Sequence, residues 1–68
     1  MSNQKKELVV VEPMPADAAK QQFIDWRVRH PEVVSRLGPE DVIVDVIRAT
    51  GGRTLHRYRI LIDETDAV

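Results

Sequence analysis

The chain contains no cysteine, no long apolar run and almost no net charge. Without thiols it has neither a disulfide framework nor a thiolate metal site, two of the staples on which very small domains depend. The lack of cysteine also agrees with a reducing compartment. No apolar stretch approaches the ~20 residues that a membrane-spanning helix needs. The N-terminal "MSNQKKEL" carries lysines, but no run of signal-peptide length follows them. Cytoplasmic residence is the expectation that follows. A formal charge of -1 at pH 7 argues against a dedicated nucleic-acid binder, because such domains are normally basic overall.

Catalytic signatures are missing too. Ser35 has no glycine elbow and no evident base. Gly51-Gly52 fits neither a dinucleotide fingerprint nor a P-loop, and no helix follows it. Glu40 and Asp41 belong to a turn, in solvent, rather than to an acid–base pair. His30 and His56 are the only imidazoles and lack metal-ligand spacing. We therefore expect no catalytic residue, no metal, no cofactor and no small-molecule substrate, since so short a chain has no second layer to enclose one.

What is present is a single small domain. A chain of 68 residues buries only about 60% of the surface its unfolded form exposes, so its stability is marginal unless a partner contributes. Residues 1–6 are polar and are expected to lie outside the fold, residues 7–63 to form one α+β domain, and residues 64–68 a flexible acidic tail. "ELVVVEP" contains four consecutive apolar residues, three of them valine, and reads as a strand ended by Pro13. Its unbroken character suggests cover on both faces, or a partner on one.

The segment "MPADAAKQQFIDWRVRH" predicts a helix, with Pro15 in its first turn and Asp17 and Arg27/Arg29 placed to suit the helix dipole. Ala16, Ala19, Phe23, Trp26 and His30 recur at three-and-four spacing and predict the core-facing stripe, widened by Ile24 and Val28. Pro31 breaks the helix at His30. "PEVVSRLG" then makes a short second helix stopped by Gly38.

"VIVDVIRA" and "RTLHRYRILID" are strands joined by a glycine turn. A two-residue turn mixes charge into both faces. A three-residue Thr50-Gly51-Gly52 loop, with Gly52 left-handed, places Val42 opposite Ile60, Val44 opposite Tyr58 and Val46 opposite His56. The other face then pairs Asp45 with Arg57, Ile43 with Arg59 and Ile47 with Leu55. The second register keeps both faces consistent and is preferred. It predicts Val44, Val46, Tyr58 and Ile60 buried under Phe23 and Trp26, with Arg57 and Arg59 exposed on the far side.

The element order predicts a β-α-β-β half ferredoxin-like unit. Its three-stranded mixed sheet has spatial order 2-3-1, with 1-2-3 as the alternative, and carries the main helix and the short second helix on one face. Fold does not fix function; the arginines of the hairpin bear on it more directly. Arg48, Arg53, Arg57 and Arg59, joined by Lys5 and Lys6 if the first strand starts nearby, form a cationic row. Such a row would suit nucleic-acid phosphates. A single-strand reader, however, displays aromatics on its open face, whereas Tyr58 points toward the helix. Ile43, Ile47, Leu55 and Leu61, ringed by Arg48, Arg53, Arg57 and Arg59, have instead the apolar centre and charged rim of a protein interface. The sequence thus points to a non-enzymatic protein-interaction module, an adaptor, regulator or accessory subunit, with a protein partner or a second copy of itself as ligand. A nucleic-acid-binding regulator is the alternative.

Overall fold

The computed structural model describes residues 5–63. Strand β1 spans Lys5–Pro15, helix α1 Ala16–Arg29 and a single-turn helix α2 Pro31–Val34. After a 3-10 turn at Pro39–Asp41 come β2 (Val42–Arg48), a second 3-10 turn and β3 (Thr54–Asp63). The sheet runs β1-β3-β2; read from its other edge it is β2-β3-β1. Both junctions are antiparallel. The sheet is therefore antiparallel throughout rather than mixed, and the adjacency 1-2-3 does not occur.

The hairpin has the expected register. Val42, Val44 and Val46 face Ile60, Tyr58 and His56, while Ile43, Asp45 and Ile47 face Arg59, Arg57 and Leu55. The loop is Thr50-Gly51-Gly52, closed by the Ala49 N–H donating to the Arg53 carbonyl at 2.8 Å. Gly51 and Gly52 both adopt positive φ, 82° and 78°, a conformation that costs glycine little because it has no Cβ.

β1 departs from expectation in three ways. It begins at Lys5, so Lys5 and Lys6 belong to the fold; residues 1–4 and the acidic tail 64–68 lie outside the described residues. It also continues past Pro13 to Pro15. Pairing shifts between Val9 and Val11 and again between Val11 and Met14. Each shift adds one residue to β1 and leaves it unpaired, and a bulge on an edge strand is where a proline without an N–H is tolerated. Finally, the valine run is not covered on both faces. The first bulge brings Val11 opposite Tyr58, where it is buried, while Leu8 and Val9 remain exposed.

Helix α1 lies over β1 and β3. At this contact Ala19 of the helix and Val11 and Ile60 of the sheet are buried, and Phe23 stacks on Tyr58 with ring centroids 4.6 Å apart. Trp26 continues the aromatic row between Phe23 and His30. Ala16, at the first turn of α1, is exposed rather than part of the stripe. Pro31 ends α1 as expected, but Gly38 has φ -89° and is no left-handed stop. Its N–H instead donates to Asp41 Oδ2 at 2.9 Å, closing the turn into β2.

The helix is too narrow to roof all three strands. Val44 and Val46 point to the helix side, yet are 42% and 64% exposed. Alternation alone predicts both in the core, but α1 sits over the other two strands and leaves them uncovered. Ile24 and Val28, on the flank of α1, are likewise exposed.

Candidate functional site

Side chains alternate across a strand, so the register assigns the face away from α1. Leu55 lies beside Ile47, Arg57 beside Asp45, Arg59 between Ile43 and Val9, and Leu61 beside Glu7. Cross-strand neighbours and their diagonals are within reach of long side chains, and the charged residues use both. Arg57 Nε donates to Asp45 Oδ2 at 2.9 Å. From the diagonal, Arg59 grips the same carboxylate with two donors, Nε to Oδ2 at 2.6 Å and Nη2 to Oδ1 at 2.8 Å. Its remaining nitrogen, Nη1, donates to Glu7.

These four side chains make a neutral ladder of two guanidinium groups and two carboxylates. Arg59 was expected to be exposed, but its side chain retains only 18% exposure and that of Asp45 22%. The hydrogen bond from Arg59, with a further one from Arg57, holds the Asp45 carboxyl below the usual carboxylate range. Reciprocally, Asp45 raises Arg59 above its ordinary value. The bidentate fork of arginine suits this arrangement, which a lysine would not reproduce.

The expected site residues divide into two groups. Ile43, Ile47, Leu55, Leu61, Arg57 and Arg59 share the open face, and all six are partly buried. Arg48 does not join them, because it pairs with Thr54 and so falls on the helix side with Val44 and Val46. Arg53 lies at the hairpin turn and is exposed. Lys5 adds no free charge to the row either: its Nζ donates to Asp41 Oδ1 at 2.8 Å. Asp41 is buried. The Lys5 hydrogen bond and then the Gly38 N–H hold its carboxyl low.

Glu7 and the Lys5–Asp41 pair were not foreseen. The alternation of Lys5, Glu7 and Val9 against Lys6 and Leu8 is the only sequence signal for Glu7, and it becomes readable once Leu8 is set opposite Ile60.

Among the described residues no three histidine, aspartate or glutamate side chains gather in a group that would hold a metal ion. No helix among them is long and apolar enough to cross a membrane. A shallow apolar cleft on the helix side is lined by Phe23, Arg27, Val34, Leu37 and Val42. It contains no carboxylate or imidazole. Comparisons with family models, with curated proteins and with solved structures find no match to this chain.

Proposed function

We propose that the chain is a small non-enzymatic interaction module, an adaptor, regulator or accessory subunit, that docks on protein through the open face of its sheet. The observation that supports this reading most is the neutral ladder. A phosphate approaching Arg59 would have to compete with Asp45 and Glu7, and one approaching Arg57 would meet the Asp45 carboxylate already bound to it. A protein surface needs no such displacement: it can cover Ile43, Ile47, Leu55 and Leu61 and leave the ladder as an ordered polar element between them. The β-α-β-β order, with β3 between the outer strands, supports describing the scaffold as a half ferredoxin-like unit. The absence of cysteine supports the cytoplasm as its location.

The test compares Leu55→Asp with Arg57→Ala in affinity capture from a lysate of the source cell, with and without nuclease and at two salt concentrations. Circular dichroism checks that both variants fold. Apolar docking predicts that Leu55→Asp loses the captured protein, whereas Arg57→Ala keeps it with an altered salt dependence. Capture that disappears on nuclease treatment, with a salt slope that flattens by about one ion in Arg57→Ala, would make nucleic acid the ligand.

A further inference from the structure

Three observations converge on the outer edge of β2. The first is which backbone groups it leaves open. In an antiparallel ladder, residues alternate between bonding their partner and pointing away from it. The Ala49 N–H bonds the Arg53 carbonyl, so in the continuous register of this hairpin Ile47, Asp45 and Ile43 bond β3. Val42, Val44, Val46 and Arg48 therefore turn their N–H and C=O groups outward. The second observation is that β2 has no bulge or proline to blunt the edge; its charges are Asp45, held by Arg57 and Arg59, and Arg48 at its end. β2 is seven residues long, VIVDVIR, without proline or pairing shift, whereas natural edges are normally blunted by such devices. Third, the segment Ile43-Val44-Asp45-Val46-Ile47 reads the same in both directions.

We propose that β2 pairs antiparallel with β2 of a second copy about a two-fold axis at Asp45, joining two sheets into one of six strands. In that register Val44 lies opposite Val46 of the second copy, and Ile43 opposite Ile47. The four apolar pairs thus match like with like, Val42 lies opposite Arg48 at each end, and each copy supplies hydrogen bonds to the other's outward groups. The exposed valines of the two copies come together as one stripe between the two α1 helices. The two Asp45 residues face each other, but each carboxylate is turned toward β3 and held by Arg57 and Arg59 of its own copy, which removes most of the like-charge penalty. At the ends of the paired segment, Arg48 reaches the acidic turn carrying Glu40 of the second copy, an attractive match repeated by symmetry. The partner is a second copy because the edge is complementary to itself in hydrogen bonding and in its palindromic run of apolar side chains around an Asp45 that is already neutralised within each copy.

This inference rests on the interaction-module reading, being its self-association half, and it leaves the open face available to a different protein. Sedimentation of the full chain from micromolar to millimolar concentration should show a monomer–dimer equilibrium. Val46→Lys, which places a charge on an already exposed position, should raise the dissociation constant at least about tenfold while keeping the far-ultraviolet dichroism of the parent. Because the chain has no cysteine, single substitutions report the register cleanly. A mixture of Val44→Cys and Val46→Cys should form a disulfide, since directly opposed residues lie within the separation a disulfide spans. Each variant alone should cross-link far more slowly. A monomer across the whole range would overturn the pairing, as would an unchanged dimer in Val46→Lys or equal cross-linking by Val44→Cys alone. If the chain is monomeric but captures a protein through Leu55, the edge proposal fails and the open-face proposal stands. If it dimerises through β2 but Leu55→Asp changes no capture, the reverse holds.

Discussion

β1 and β2 flank the same central strand, yet they solve the problem of being an outer strand in opposite ways. β1 spends 11 residues, Lys5–Pro15, where nine of β3, Leu55–Asp63, lie opposite. The two extra residues are bulges, Pro13 falls in the second of them, and Lys5 and Lys6 stand at the start. α1 covers one of its faces. β2 is regular and proline-free, and its helix-side Val44 and Val46 face solvent. The difference teaches that apolar content alone does not reveal a core strand. Both strands are valine-rich, but only Val11, brought opposite Tyr58 by the first bulge, is buried by the fold itself.

The contrast is tested most severely by one substitution made on both strands. Val11→Asp places an unpaired carboxylate in a site only 3% exposed, and it should destabilise the chain by about 3 kcal/mol or more. That is enough to unfold a domain of this size. Val46→Asp should change the stability of the monomer by no more than about 0.5 kcal/mol. Urea denaturation of the two variants at a concentration where the chain is monomeric gives both numbers, and similar losses would erase the distinction between the strands. A milder pair sharpens it. Val11→Ala should cost about 1 to 2 kcal/mol, whereas Val44→Ala, expected from alternation alone to cost 1 to 3 kcal/mol, should cost less than about 1 kcal/mol because the side chain is already 42% exposed.

Acid should act through Asp45 on β2 and through Asp41 at its start. Both carboxyls are held below their ordinary value by their hydrogen bonds, Asp45 first by Arg59 and Asp41 first by Lys5. A depressed carboxyl stabilises the fold above its unfolded value, near 3.9, and that contribution disappears as pH falls through the lower folded value. The melting temperature should therefore be insensitive to these groups near neutrality and decline below about pH 4. In Asp45→Asn the acid decline should be shallower, since one of the two titrating groups is gone. An identical acid profile in the variant would mean that the ladder contributes nothing.

The hairpin was legible in the sequence because two constraints acted together. The Thr50-Gly51-Gly52 loop limited the register to few choices, and only one of them kept Asp45 with Arg57 and Val44 with Tyr58. Pro31 likewise marked the end of α1. β1 was less legible, because each bulge resets the alternation on which a face assignment depends, and Pro13 looks like a terminus when it is a bulge residue. The site was half legible for the same reason: the contributions of β2 and β3 followed from their register, while Glu7 required that of β1. Exposure of Val44 and Val46 was not readable at all. Alternation tells which way a side chain points, but the width of sheet that one helix covers depends on where the helix settles.

The most direct measurement is amide hydrogen exchange across both outer strands as a function of protein concentration. If β2 is the strand left open for a partner, the outward amides of Val44 and Val46 exchange rapidly in dilute solution. They should slow as concentration rises, while the β1 amides stay unchanged. Exchange at Val44 and Val46 that is independent of concentration, or a slowing confined to β1, would contradict the assignment of β2 as the pairing edge.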